Sequence, residues 1–127
     1  MKKGFRNYPE LRVLTNHIEE GSIQIISELS EQELSFMASL PRGLSDADKS
    51  CISIANRRKA IIASDDEDIM KVAKKFGISL IDTIKIIIMA VQEGLLECNI
   101  GNEILHKMEK QANFLINKRL NFNKVKE

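Results

Sequence analysis

The stretch that decides the fold is 43-GLSDADKSCISIANRRKAIIASDDEDIMKVAKKFGI-78. Ser45 is a natural helix N-cap with Asp48 three residues on, and Ile52, Ile54 and Ala55 carry an apolar face toward Arg58, so residues 45–58 read as a helix that opens on acids. Residues 60–64, AIIAS, are too few for a helix and lie between two charged segments, which predicts a central strand covered on both faces. A second helix follows over 66–75, with Asp66, Glu67 and Asp68 at its start and Lys71, Lys74 and Lys75 toward its end, as the helix dipole favours; Gly77 stops it.

Outward from this stretch, Pro9 opens a helix whose stripe is Leu11, Val13, Leu14 and Ile18, and Gly21 ends it. Residues 22–26, SIQII, are rich in β-branched side chains and predict a strand. Ser30 and Glu33 form a capping-box pattern before a short helix that Pro41 and Gly43 terminate. Downstream, residues 79–81 read as a third strand, 83–92 as a strongly apolar helix stopped by Gly94, and 102–120 as a long last helix with a frayed tail from Asn121. Strands and helices alternate with crossovers too long for hairpins. The expected architecture is therefore α/β, a three-layer sandwich in which a small parallel sheet is flanked by helices, in a single domain over residues 1–127.

A helix over 45–58 is about 20 Å long and a strand over 60–64 covers roughly 17 Å, so a tight reversal between them returns Asp65 to the end of the domain that Asp46 and Asp48 occupy. That end is also the carboxyl edge of parallel strands, where open α/β folds place ligands. Carboxylates gathered there repel one another unless a cation neutralises them, and an all-oxygen set suits Mg²⁺ or Mn²⁺. Helix capping and the dipole account for first-turn acids equally well without a metal.

Other features point to less. A net charge of +1 gives no global field that selects nucleic acid or membrane, and 5% aromatic content supports no stacking platform for bases. The basic groups Asn56 to Lys59, Lys71, Lys74 and Lys75 are placed to meet phosphates, but helix C-termini favour bases in any case. His17 and His106 lack metal-ligand partners at helical spacing, and Cys51 and Cys98 read as small core or helix-end residues. Residues 1–9 hold no apolar leader and 84–91 are too few to span a bilayer, so reduced thiols, a cytoplasmic location and no membrane association are expected. The apolar excess from Ile84 to Val91 suits a core helix or a homo-oligomer interface.

The succession Leu44-Ser45-Asp46-Ala47-Asp48, Ala60-Ile61-Ile62-Ala63-Ser64-Asp65-Asp66, Val72-Ala73-Lys74-Lys75-Phe76-Gly77-Ile78 and Leu80-Ile81-Asp82-Thr83 resembles the C-terminal half of a PIN domain, with Gln92-Glu93-Gly94-Leu95-Leu96 and the upstream Tyr8-Pro9-Glu10 and Glu19-Glu20-Gly21-Ser22-Ile23 extending the likeness. The resemblance implies a nuclease fold of prokaryotic type in which acidic residues hold Mg²⁺ or Mn²⁺ and cut single-stranded RNA, often as the toxin of a toxin–antitoxin pair. Matched position by position, it implies that Asp48 and Asp65 are catalytic metal ligands, with Asp66 an auxiliary ligand and Asp46 an alternative to Asp48. It also implies an N-terminal truncation: the family's first strand with its Asp-Thr/Ser-Asn motif, and the glutamate-bearing helix after it, have no counterpart here. On that expectation the chain is incomplete or weakly active by itself, and an antitoxin or a strand-donating partner fills the gap. The alternative is a non-catalytic remnant of the fold that works in oligomerisation or protein binding.

Overall fold

The computed structural model describes residues 9–111. A 3₁₀ turn, Pro9–Leu11, leads into α1 (Arg12–Glu19), followed by α2 (Glu31–Ala38), α3 (Asp46–Arg58), β1 (Ile62–Ala63), α4 (Glu67–Lys75), β2 (Leu80–Ile81), α5 (Thr83–Gln92) and α6 (Cys98–Gln111). The chain divides into two compact units, Met1–Glu31 and Gln32–Glu127.

In the first unit, α1 ends in a turn where Glu20 N–H bonds Asn16 O, Gly21 N–H bonds Ile18 O and Ile23 N–H bonds His17 O. The strand expected over 22–26 does not form; Ile23, Ile25 and Ile26 are exposed on unassigned backbone. A strand exists only through its ladder, and β-branched composition supplies propensity without supplying a neighbour.

In the second unit the expected parallel sheet is present, with β1 and β2 side by side and Ile62 registered against Leu80 and Ala63 against Ile81. Both strands are shorter than the apolar stretches suggested. The sequence of helix, turn and strand is built by local chemistry: Ser45 Oγ accepts from Asp48 N–H at 3.1 Å to open α3, and Lys59 adopts a left-handed conformation (φ 56°) to close it. Lys59 then hands the chain to Ala60, whose N–H returns to Ala55 O, and the backbone reverses into β1.

The main core lies where α3 packs on α4 and β1: Leu40, Leu44, Ile52, Ala55, Ile62 and Ile69 are buried together, with Phe36, Val72, Ile78 and Leu80 against them. Phe36 and Phe76 meet edge to face at 5.1 Å. A smaller cluster joins α5 to α6 through Ile87 and Leu105. β1 is covered on the Ile62 face alone; Ile61 and Ala63 are exposed, against the expectation of cover on both faces. Cys51, expected in the core, is exposed as well. The last helix starts at Cys98, earlier than expected, and its predicted continuation past Gln111 and the tail from Asn121 lie outside the described residues.

Candidate functional site

Parallel pairing sends both strands out of the sheet at one end, and each runs straight into a helix whose N-cap is an aspartate. After β1, Asp66 caps α4, its Oδ1 accepting from Asp68 N–H at 2.8 Å and Ile69 N–H at 3.1 Å. After β2, Asp82 caps α5, its Oδ1 accepting from Lys85 N–H at 2.7 Å. Both satisfy amide donors that the first helical turn otherwise leaves open.

Asp65 is held differently. Its Oδ1 accepts from the backbone N–H of Thr83 at 2.9 Å, and its Oδ2 accepts from the Thr83 hydroxyl in a short contact. Thr83 is the first residue of α5, so the carboxylate faces the positive end of that helix and takes one of its free amides. Main chain supports the same corner, since Ser64 N–H bonds Ile81 O at 3.0 Å and Ser64 Oγ accepts from Asp66 N–H at 3.1 Å. Asp65 is thus a carboxylate in a fixed orientation at the carboxyl edge of the sheet.

Asp46 and Asp48 stand in the first turn of α3. Their carboxylates make no hydrogen bond or ion pair with a described residue; Asp46 is exposed and Asp48 half-buried. The turn at Lys59 sends β1 back along α3, so the ten residues from Asp48 to Arg58 correspond to about 15 Å of helix and the strand segment up to Asp65 to a similar length. No hydrogen bond joins Asp48 to Asp65.

Among the described residues, no three side chains of the His, Cys, Asp and Glu types come together in a group able to hold a metal ion. Asp65 spends both oxygens on Thr83 and Asp66 spends one on α4, which leaves Asp48 and Asp46 as the free carboxylates of the predicted set. The described side chains by themselves do not fit a complete divalent-cation site, which needs about six oxygens in rigid geometry for Mg²⁺.

Sequence reading missed Thr83 and Asp82. The signal was available in part: an Asp-Thr pair ahead of an apolar helical stretch is a cap pattern, though nothing in it names Asp65 as the side chain Thr83 would hold. Of the basic groups placed to meet phosphates, Asn56 to Lys59 lie at the C-terminal end of α3, and Lys71, Lys74 and Lys75 lie on α4. At the end of α3, Arg58 is taken by Glu33 in two bonds of 2.9 Å, while Arg57 and Lys59 line an open groove of about 320 Å³ with Phe36, Ser53 and Asn56.

The capping role of Asp66 carries its own expectation. Asp66→Ala removes the acceptor of two amides of α4 and is expected to cost about 1 kcal/mol of stability, read as a lower urea midpoint at unchanged slope.

No helix among the described residues is long and apolar enough to cross a membrane. No curated protein and no solved structure matches the chain. A family model described as a PIN domain matches residues 1–126, nearly the whole sequence, and with a parallel sheet whose carboxyl edge gathers aspartates, the chain belongs to the PIN-domain family, a nuclease-type fold.

Proposed function

We infer that this is a PIN-type endoribonuclease domain of the cytoplasm that cuts single-stranded RNA, works with Mg²⁺ or Mn²⁺ in its complete form, and is weakly active as the chain alone. The observation that carries this reading is the fixed Asp65 carboxylate, held by Thr83 at the carboxyl edge of the sheet. Asp48 and Asp65 are the catalytic acids of the proposal, Asp66 an auxiliary and Asp46 the alternative to Asp48. A fixed carboxylate is what metal-assisted phosphodiester hydrolysis asks of its ligands, because orientation must be settled before the phosphate arrives. The described residues lack a third converging acid, so the remaining ligands come from outside them, supplied by a partner such as an antitoxin or a strand donor. A toxin of a toxin–antitoxin pair fits that dependence.

The test pairs two readouts on the full chain. Titration with Mn²⁺ or Mg²⁺ to millimolar concentration is expected to move the backbone amide resonances of Asp48 and Asp65. Cleavage of a single-stranded RNA is expected to need the ion and to fall at least 100-fold in Asp48→Asn and in Asp65→Asn. Cleavage that both variants retain would overturn the assignment of the acids.

The incompleteness of the acidic set also favours a second reading, a PIN-fold module that has kept the scaffold and acts in oligomerisation or protein binding. Resonances that stay unmoved at millimolar ion, together with no cleavage, select it.

A further inference from the structure

We propose that the chain's own C-terminal segment, residues 112–127, folds back along α6 and packs on the apolar side of the α5–α6 hairpin, against Ile86 and Ala90 of α5 and Ile100 and Ile104 of α6.

The two helices define that side. They are joined by residues 93–97 and share a buried seam, with Ile87 and Leu105 at its centre and Ile84, Val91, Cys98 and Met108 along it. Ile87 lies five residues before the end of α5 and Leu105 seven after the start of α6, similar distances from the turn, so the helices run antiparallel. Antiparallel neighbours are related by a two-fold axis normal to their common plane. Residues offset alike from the seam therefore emerge on the same side. Those one place before the seam residues Ile87, Val91, Gly101 and Leu105 are Ile86, Ala90, Ile100 and Ile104; those one place after are Ile88, Gln92, Asn102 and His106. One side of the hairpin is apolar and the other largely polar. The three isoleucines of the apolar side are 45%, 37% and 36% exposed in chain order.

The chain beyond Gln111 is suited to cover it. It belongs to the same compact unit and carries Phe114, Leu115, Ile116, Leu120, Phe122 and Val125, side chains that gain by leaving water. Met108 shares a cluster with Ile84, in the first turn of α5, so a straight continuation of α6 would carry these side chains past the end of α5 with nothing of that helix left to cover them. Asn113 and Asn117 are of the type that ends helices and turns the chain. From Gln111 back to the turn is about 21 Å of α6. A reversal of about four residues leaves about twelve, roughly 18 Å long as helix and 40 Å extended, which reach along this side. Running in that direction, the segment brings Lys124 and Lys126 toward the turn, where Glu93 and Glu97 are exposed. A tethered segment also meets the surface at an effective concentration on the order of millimolar, an advantage that a second copy lacks. This proposal does not depend on the nuclease reading, since it needs only α5, α6 and the segment.

The chain contains no tryptophan, so Phe122→Trp in the full chain places a single reporter in the segment. Its emission is expected to be blue-shifted from that of a peptide of residues 112–127 with the same substitution. Its acrylamide quenching constant is expected to be smaller by about threefold, independent of protein concentration. Ile86→Lys and Ile104→Lys, one on each helix and both at exposed positions, are each expected to return quenching toward that of the peptide with circular dichroism unchanged, whereas His106→Lys, on the polar side, leaves the protection in place. Peptide-like quenching in the parent reporter chain overturns the proposal. So does protection that both isoleucine variants retain, or that His106→Lys removes as fully as they do. Protection that disappears on dilution overturns it as well, since the cover is then a second copy.

Discussion

Ile52→Ala is expected to destabilise the Gln32–Glu127 unit by about 3 kcal/mol, a fall of roughly 15 °C in Tm for a unit of this size. Ile52 is 0% exposed, in the middle of α3, and it sits among Leu40, Leu44, Ala55, Ile62 and Ile69 where α3 packs on α4 and β1. Alanine there removes three buried carbons and leaves a cavity that elements fixed by their own caps close only in part. Total stabilities of domains this small run to about 5–15 kcal/mol, so the loss is a large fraction of the whole. Ile61→Ala supplies the internal control one residue before β1, because a side chain 62% exposed loses little on truncation, within about 0.5 kcal/mol. Thermal melts of the two variants side by side check the pair. Equal shifts would mean that the core is not centred on α3.

Why Ile52 was legible in the sequence and other positions were not has a physical pattern. Caps are local: Ser45 and Asp66 sit within three residues of the amides they bind, and both helix starts emerged as read. The parallel sheet followed from element lengths and crossovers, which are also short-range quantities. Strand pairing is not. Ser22–Ile26 has the composition of a strand but forms no ladder, and nothing within a β-branched stretch records whether a neighbour exists. The Thr83 hold on Asp65 spans 18 residues and the Arg58 hold on Glu33 spans 25, so neither is written in a local window. Cys51 failed for a finer reason. The buried stripe of α3 runs from Ala55 through Ile52 to Ser53, and at roughly 100° per residue Cys51 falls about 40° outside its Ala55 edge, enough to face water. Around Asp65 the same terms apply: the neighbouring cap Asp66 is local, while the Thr83 that fixes Asp65 needed the fold.

Arg58→Leu is expected to destabilise the protein far more than Arg57→Leu, although the two arginines are neighbours and both are exposed. Arg58 donates from Nε and Nη2 to the two carboxylate oxygens of Glu33, each at 2.9 Å, in a planar fork that lysine cannot copy. The partners differ in surroundings: the Arg58 side chain is 44% exposed and that of Glu33 2%. Ser53 adds a bond from its hydroxyl to the Glu33 carbonyl at 2.6 Å, pinning α2 to α3 beside the ion pair. Losing the guanidinium therefore removes two charge-assisted bonds from an enclosed carboxylate, whereas Arg57 makes no described bond to an enclosed charge. The pair itself is indifferent to alkali. Its hydrogen bonds to Glu33 hold the Arg58 proton more tightly than usual, so the stabilisation that the raised pKa represents is in place at every working pH and disappears only as pH climbs past a value far above that range. Acid is the informative direction. In Arg58→Leu, protonation of Glu33 removes the charge that Arg58 no longer offsets, so the gap in Tm to Arg57→Leu is expected to narrow between pH 7 and pH 4. Glu33→Leu combined with Arg58→Leu is expected to recover part of the loss, because no charge is then left enclosed. Melts of the three variants at both pH values decide the matter: a gap that does not narrow in acid would show that Arg58 acts through the packing of its stem, and that the charge of Glu33 is borne by something else.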